Sequence, residues 1–298
     1  MSDKTQQSGK LYICLILFII GLFIPRAVSA EKMVKDIEYA NVLGQSLKLD
    51  LYLPSEPIGS GLVVWIHGGG WRKGNKSNCF INWLPKYGFS VASISYRFSN
   101  VAKFPAQLHD CKGAVRWLRA NASKYGFNPN KIFVAGASAG GHLAALMATT
   151  GSHKFLEGVT GGNLDQSSSI IGAIDYYGPT DFILRSKTQP SRANERGSVV
   201  YDLLGGGAHE KIAAAKLASA CYHVSNDDQP LLVFHGTRDR TVLIDQSKAI
   251  ETKYKEAGLS IRFYTIEGAG HGGNVFYKDE NAKRLITFLG KQMKSKTN

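Results

Sequence analysis

Residues 131–149 read KIFVAGASAGGHLAALMAT, and this stretch decides the fold class. The apolar run at residues 132–135 predicts a buried strand, and the Ala- and Leu-rich run at residues 142–149 predicts a helix. Residues 136–140 join them and match the pattern G-x-S-x-G. A chain that turns sharply between a strand and a helix needs small residues around the serine. We therefore expect Ser138 to stand on a tight turn, with its hydroxyl above a sheet.

Further apolar runs predict strands on both sides of this turn. They lie at residues 46–53, 62–66, 90–96, 170–177, 231–234 and 261–266. Segments with helical spacing lie between or after them, at residues 107–122, 245–257 and 281–293. Strands that alternate with helices predict a parallel sheet covered by helices on both faces. We expect one α/β domain over residues 31–298, with a mostly parallel sheet of about eight strands.

Residues 182–222 interrupt this alternation of strands and helices. The segment contains three consecutive glycines at residues 205–207, an Ala-rich run at residues 213–215 and several charged side chains. It is too long for a simple connection between two elements. We interpret it as a partly helical, lid-like insertion that shapes a pocket.

The first thirty residues have the layout of a secretory signal peptide. Residues 1–10 are polar and carry Lys4 and Lys10, and residues 11–23 are almost purely apolar. This run is shorter than the ~20 residues that a membrane-spanning helix needs. We expect cleavage after Ala30 and a secreted or periplasmic protein, with no stable membrane partner. An uncleaved membrane anchor is the alternative.

The charge of the chain bears on its partners. Lys and Arg number 36 against 23 Asp and Glu, which gives a net charge of +13. The positive charges are scattered, without an arginine-rich helix or an aromatic-basic repeat, so nucleic-acid binding is not expected. A basic surface can attract anionic polymers such as acidic polysaccharides.

Cysteines and histidines predict neither a disulfide scaffold nor a metal site. Three cysteines lie beyond the signal region, Cys79, Cys111 and Cys221, and they are too few for a disulfide scaffold. Buried thiols are the favoured interpretation, and one bridge between two of them is the alternative. The histidines are dispersed, and none pairs with another His, Cys or Glu at ligand spacing. We expect no metal and no cofactor.

A second glycine-rich motif, HGGGW at residues 67–71, directly follows the strand predicted at residues 62–66. Consecutive glycines let backbone amides approach a ligand closely, as the stabilisation of a tetrahedral oxyanion requires. The expected donors are the amides of Gly69 and Gly70, together with the amide of Ala139 after the serine.

The other members of this motif have supporting roles in the prediction. His67 and Gly68 are expected to hold the loop, and Trp71 to line a pocket. A phosphate-binding loop is the alternative interpretation. It lacks both the Lys-Ser/Thr pair and the G-x-G-x-x-G pattern that such loops carry.

A serine hydroxyl is a weak nucleophile until a base removes its proton. In strand–serine–helix arrangements of this kind, the chain order is serine, acid, histidine. His271 is the last of eight histidines and lies in a glycine-rich loop at residues 268–273. It is therefore the expected base for Ser138.

The acid that orients such a base is expected at a strand end before His271. The strand predicted at residues 231–234 runs into HGTRD, so Asp239 lies just past its end. Asp239 is the expected acid, and Asp228 and Asp245 are weaker alternatives.

Six motifs of this chain occur together in one known family. They are HGGGW at 67–71, HDCK to RWL at 109–118, GASAGGHL at 136–143, DYYGPTD at 175–181, HGTRD at 235–239 and GAGHG at 268–272. From about residue 35 onward, the chain resembles the bifunctional deacetylase/feruloyl esterases of the hormone-sensitive-lipase-like branch of α/β-hydrolases. The resemblance implies an α/β-hydrolase fold and a serine carboxylic ester hydrolase that works through an acyl-enzyme. It also implies a triad of Ser138, Asp239 and His271, with Tyr177 at the border of the pocket.

The resemblance also implies a substrate class. Such enzymes remove acetyl or feruloyl groups from plant polysaccharides, or hydrolyse short-chain esters of small alcohols. The related kynurenine formamidases carry tyrosine where this chain has Gly70, which makes a formamidase or other amidase the weaker alternative. A binding module that has lost catalysis is less expected still, because every candidate triad residue is present.

Overall fold

An eight-stranded sheet runs through the computed structural model, which describes residues 32–294. The signal peptide expected at residues 1–30 lies outside the described residues. The strands are β1 (Lys32–Val42), β2 (Gln45–Leu53), β3 (Ser60–Ile66), β4 (Ser90–Ile94), β5 (Phe127–Ala137), β6 (Ala173–Tyr176), β7 (Leu231–Gly236) and β8 (Ile261–Ile266).

The sheet is parallel except at one edge. Its strand order is β1-β2-β4-β3-β5-β6-β7-β8. Strand β2 pairs antiparallel with β1 and β4, and every other pairing is parallel. The mostly parallel eight-stranded sheet confirms the architecture predicted from the alternation of strands and helices.

Ten helices connect and cover the strands within residues 32–294. They are α1 (Ala106–Ala120), α2 (Ala122–Tyr125), α3 (Ala139–Thr149), α4 (Lys154–Glu157), α5 (Phe182–Thr188), α6 (Pro190–Ala193), α7 (Val199–Leu204), α8 (Ile212–Leu217), α9 (Asp245–Glu256) and α10 (Asp279–Lys294). Short 3-10 turns lie at Leu84–Tyr87, Ala220–Tyr222 and Asn274–Phe276.

The core lies in two layers, one on each face of the sheet. Along β5, Ile132 and Val134 belong to one buried cluster, and Phe133 and Ala135 belong to the other. This alternation follows because successive side chains of a strand point to opposite faces. Helices α1, α3 and α9 pack into the first cluster, and α10 packs into the second. Strands buried on both faces therefore read as continuous apolar runs in the sequence.

Several elements differ from the sequence prediction. Strand β5 begins at Phe127, five residues before the predicted start, and the short helices α2 and α4 were not predicted. Strand β1 was not predicted, because most of its side chains are exposed and its pattern carries little apolar signal. Strand β6 is shorter than the apolar run at residues 170–177. Helix α3 begins at Ala139, three residues before the predicted start.

The segment at residues 182–222 folds into the four short helices α5 to α8 and a 3-10 turn. It packs over the HGGGW loop, where the ring of Phe182 meets Trp71 edge-on at a centroid distance of 5.8 Å. Val199 lies against Gly70, since a Cβ atom built on that glycine would be 2.8 Å from the Val199 side chain. The segment therefore forms one wall around the loop.

Residues 32–294 contain neither a helix that could span a membrane nor a disulfide. No helix of residues 32–294 is both long and apolar enough to cross a bilayer. Cys79, Cys111 and Cys221 are free thiols, and all three are buried. The alternative of a bridge between two of them is not realised in this structure.

The packing of α3 on β3 leaves no room for a side chain at Gly140. A Cβ atom there would lie 1.9 Å from the carbonyl oxygen of Ile66, which belongs to the sheet backbone. We expect Gly140→Ala to lower the free energy of unfolding by about 1–3 kcal/mol, as overpacked cores do. Gly290 of α10 is the matched control, because a Cβ atom there meets nothing within 4 Å. Gly290→Ala should raise stability by about 0.5–1 kcal/mol. Urea unfolding of both variants measures these opposite changes in the free energy of unfolding. An equal change in the two variants would contradict the packing explanation.

Candidate active site

Ser138 occupies the turn between β5 and α3 in a backbone conformation that non-glycine residues rarely adopt. Its φ is 56° and its ψ is −115°. Its amide donates to the carbonyl of Tyr176 at 2.8 Å, and its carbonyl accepts from the amide of His142 at 2.9 Å. Such strain persists only where the surroundings hold it, and it is concentrated at functional sites.

The structure brings Ser138, His271 and Asp239 together. Nε2 of His271 lies 2.8 Å from the hydroxyl oxygen of Ser138, and Nδ1 lies 2.6 Å from Oδ2 of Asp239. The two alternative acids are engaged elsewhere. Asp228 accepts from the amide of Ser225 in a loop, and Asp245 begins helix α9.

Asp239 is buried and has hydrogen bonds at both of its carboxylate oxygens. The amides of Thr241 and Val242 donate to Oδ1 at 2.8 and 3.0 Å. Burial by itself disfavours the charge, but hydrogen bonds from His235 and His271 outweigh it and hold the pKa of Asp239 well below its usual range. The carboxylate is therefore ionised at neutral pH.

His235 had no predicted role, although it lies in the same HGTRD motif as Asp239. It is buried, and its Nε2 is 2.9 Å from the carbonyl of Val242 and 3.3 Å from Oδ2 of Asp239. Since a carbonyl only accepts, Nε2 carries the proton and Nδ1 accepts from the hydroxyl of Ser247 at 2.7 Å. His235 therefore presents a donor to the carboxylate. The four-residue spacing across a strand end is the signal that could have indicated it.

Tyr177 packs against the imidazole of His271. The two rings meet edge-on, with centroids 4.9 Å apart. The hydroxyl of Tyr177 is hydrogen-bonded to that of Tyr277. Burial raises the pKa of Tyr177 to about 12, so the hydroxyl stays protonated at neutral pH. Tyr177 also lines the cavity, where the resemblance placed it.

The glycines of the HGGGW loop line the same cavity as Ser138. Gly69 has φ = 114°, and a Cβ atom there would lie 2.0 Å from the carbonyl oxygen of Lys73. Within residues 32–294, the amides of Gly69 and Gly70 donate to no other residue. Ala139 is the first residue of α3, so its amide has no acceptor inside the helix. These three amides can stabilise a negatively charged oxygen close to Ser138.

The two side chains of the HGGGW loop, those of His67 and Trp71, are both buried. His67 is buried, and its Nδ1 donates to the carbonyl of Gly68 at 2.7 Å. Its ring stacks on Tyr96 at a centroid distance of 4.5 Å. Burial lowers the pKa of His67, which keeps the ring neutral. Trp71 lines the cavity, although its side chain is almost entirely buried.

His142 connects three parts of the site and was not identified from the sequence. The indole of Trp71 donates to its Nδ1 at 3.2 Å, so its Nε2 carries the proton and donates to the carbonyl of Ala218 at 2.7 Å. These bonds join the HGGGW loop, helix α3 and the end of α8. Burial lowers the pKa of His142 to about 4.

A cavity of about 910 Å³ opens over the serine. Its wall includes Ser138, Ala139, His271 and the three glycines of the HGGGW loop. Residues of the insertion at 182–222 also line it. No group of three or more His, Cys, Asp or Glu side chains is placed to hold a metal ion in the part of the chain that the structure describes.

The sequence model of the BD-FAE family matches residues 49–254. The chain belongs to the BD-FAE family. This finding confirms the resemblance that the six motifs indicated, and solved structures with the same architecture confirm the α/β-hydrolase fold.

Two solved structures resemble this BD-FAE chain over most of its length. A truncated carbohydrate esterase from gut microbiota has a TM-score of 0.81 and 29% identity, covering 91% of this chain and 99% of its own. A bifunctional GH43-CE protein from Bacteroides eggerthii has a TM-score of 0.79 and 31% identity, covering 87% of this chain and 38% of its own.

Curated relatives of this BD-FAE chain include an esterase from Mycobacterium tuberculosis. That protein, esterase LipC, is 28% identical over 224 residues, which cover 74% of this chain and 54% of LipC. The chain spans about half the length of the curated relatives it matches.

The buried, neutral His142 makes stability depend on pH. Its folded pKa of about 4 lies below the ordinary value of ~6.5 of an unfolded chain. Its contribution is therefore complete above pH ~6.5 and is lost as the pH falls toward 4. From pH 7.5 to 5.0 this residue should cost about 2 kcal/mol of stability.

Urea unfolding of His142→Gln at both pH values tests this prediction. The amide of Gln can still donate and accept, but it does not titrate in this range. The variant should lose about 2 kcal/mol less than the wild type between the two pH values. His209→Gln, which changes an exposed histidine of the insertion, should behave like the wild type. An unchanged pH dependence in His142→Gln would show that this histidine is not the cause.

Proposed function

We propose that this protein is a carboxylic ester hydrolase in which Ser138 is the nucleophile, His271 the general base and Asp239 the residue that orients the base. One observation carries the proposal. A continuous hydrogen-bonded chain runs from Asp239 through His271 to Ser138 at 2.6 and 2.8 Å, and it ends in a cavity. This is the geometry that activates a serine hydroxyl.

In the first half of the proposed reaction, Oγ of Ser138 forms a bond to the ester carbonyl carbon while its proton passes to Nε2 of His271. The carbonyl oxygen becomes an oxyanion, which the amides of Gly69, Gly70 and Ala139 stabilise. The carbon–oxygen bond of the ester then breaks, and the imidazolium returns its proton to the leaving alcohol. An acyl group remains bonded to Ser138.

In the second half, a water molecule attacks the acyl carbon and gives its proton to His271. The bond to Ser138 breaks, the serine regains the proton, and a carboxylic acid leaves. Asp239 is ionised throughout, so it stabilises the imidazolium in both halves and keeps Nδ1 protonated. His235 and two backbone amides fix the orientation of this carboxylate.

The proposed substrates are short acyl esters, such as acetyl or feruloyl groups on plant polysaccharide or small alcohols. Two similar solved structures are a carbohydrate esterase and a GH43-CE protein, which supports an ester carried on carbohydrate. The cavity of about 910 Å³ is at the upper end of the range for small-molecule pockets, so it has room for an aromatic acyl group or a sugar ring. A secreted or periplasmic location fits such substrates and is part of the proposal.

The position of Gly70 supports an ester over a formamide. Kynurenine formamidases carry tyrosine there, whereas a Cβ atom on Gly70 would lie 2.8 Å from the side chain of Val199. A larger residue at this position would therefore require the insertion to move.

Ser138→Ala should abolish nearly all hydrolysis of p-nitrophenyl acetate. The amides and the cavity remain, so a residual acceleration of ~10³–10⁴ over water is expected. Ser152→Ala, which changes an exposed serine away from the cavity, should retain wild-type kcat/KM. A panel of acetyl, butyryl and feruloyl esters with acetylated xylan then ranks the substrates of the wild-type enzyme. Near-normal turnover by Ser138→Ala would refute the assignment of the nucleophile.

Asp239→Asn should lower kcat by about 10⁴-fold, because an amide favours the wrong tautomer of His271. The fold should be retained, since the side-chain shape is nearly the same, and circular dichroism checks this. Asp245→Asn is the matched control at the start of α9 and should leave kcat within about twofold of the wild type. If the two variants lost equal activity, the assignment of the acid would be wrong.

A further inference from the structure

The cavity over Ser138 has an unbalanced set of charges. Four basic side chains contribute to its wall, and within residues 32–294 no acidic side chain does. The basic residues are Arg72, Lys73, Arg185 and Arg192, of which Arg72 pairs with Asp202 outside the cavity wall. A cleft lined by charges of one sign concentrates ligands of the opposite sign. The wall therefore favours a substrate that carries negative charge.

Arg185 of helix α5 is the most unusual of the four. Its side chain is only about 2% exposed. Nη2 donates to the carbonyl of Thr241 at 2.8 Å, and Nε has no hydrogen-bond partner among the described residues. Burial and the nearby charge of Arg192 lower the pKa of Arg185 to about 10, although the charges of Asp239 and Asp245, which lie beyond ion-pair distance, act in the opposite direction. The guanidinium is therefore still charged at neutral pH. A buried donor without a partner is costly and requires an explanation.

Among the described residues, Arg116 is the other arginine with a fully buried side chain, and it pairs with Glu157. The half-buried Arg97 pairs with Asp110, whereas the half-buried Arg119 donates to backbone carbonyls. Arg185 forms no ion pair with any carboxylate of residues 32–294. A fully buried arginine with a purely structural role is expected to pair as Arg116 does, because an unpaired buried charge destabilises a fold.

Support of the Asp239 loop does not account for this side chain either. The bond to the carbonyl of Thr241 uses one of the five N–H donors of the guanidinium. Asp239 already accepts from two amides and from His271, so it needs no donor from Arg185. The remaining donors are left for a group that enters the cavity.

We propose that Arg185, together with Arg192, forms a subsite for a carboxylate carried by the ester substrate. A guanidinium offers two parallel N–H donors that match the two oxygens of a carboxylate. The inference rests on the proposed function, because it places this carboxylate on an ester that Ser138 attacks. The carboxylate belongs either to the acyl part, as in a half-ester of a dicarboxylic acid, or to the alcohol part, as in a uronic acid unit of an acidic polysaccharide.

Two matched pairs of esters distinguish these sources. For the alcohol part, 4-acetoxybenzoate is compared with its methyl ester. For the acyl part, mono-4-nitrophenyl terephthalate is compared with its methyl ester, because a para carboxylate cannot reach the ester carbonyl of its own molecule. Each kcat/KM is divided by the spontaneous hydrolysis rate of the same ester in the same buffer. The charged member of one pair should exceed its neutral partner by about 10-fold or more, as expected for a charge-assisted hydrogen bond.

Substitutions assign the preference to the two arginines. Arg185→Met and Arg192→Met should each lower the ratio of charged to neutral kcat/KM toward one. Arg192 is exposed, so its replacement keeps the test valid if the buried Arg185→Met protein does not fold. Arg196→Met is the matched control, since Arg196 is exposed on the same segment and does not line the cavity. It should keep the wild-type ratio.

The possible results separate the two proposals. Turnover of both neutral esters without any preference for the charged members would overturn the carboxylate subsite and leave the ester hydrolase intact. A preference that persists in Arg192→Met and in folded Arg185→Met would show that other residues cause it. No turnover of any ester would overturn the proposed function and the subsite that rests on it.

Discussion

The close approach of helix α3 to strand β3 is the constraint on which the site depends. Backbone meets backbone at Gly140, where even one additional carbon would collide with the carbonyl of Ile66. Because α3 is held so near the sheet, the turn before it must take the strained angles seen at Ser138. The same approach places the first amide of α3 beside the HGGGW loop, which leaves β3. The proposed nucleophile and the amides proposed to stabilise the oxyanion are thus positioned by a single packing contact.

Two buried histidines connect the surroundings of this turn by hydrogen bonds. His142 accepts from Trp71 and donates to Ala218, so it ties the loop and the insertion to α3. His235 donates to Asp239 and accepts from Ser247. In each ring the two nitrogens have opposite roles, which fixes one tautomer and one orientation. These side chains stabilise the geometry of the loops around Ser138.

Two opposite charges are buried close to the cavity. Asp239 keeps its negative charge because hydrogen-bond donors surround it. Arg185 keeps a positive charge although no carboxylate of residues 32–294 forms an ion pair with it. The proposed carboxylate subsite would give this guanidinium a partner when substrate binds.

The sequence by itself determined the parts of this protein that depend on neighbouring residues. The strand, turn and helix around Ser138 were readable because burial repeats along each element with a fixed period. Chain order singled out Asp239 and His271, and the distances agree with that order. Tertiary structure alone decided the rest: the exposed edge strand β1, the short helices of the insertion, and the partners of His142 and Arg185. Arg185 and Thr241 are 56 residues apart, and a local pattern carries no information about a contact made across such a distance.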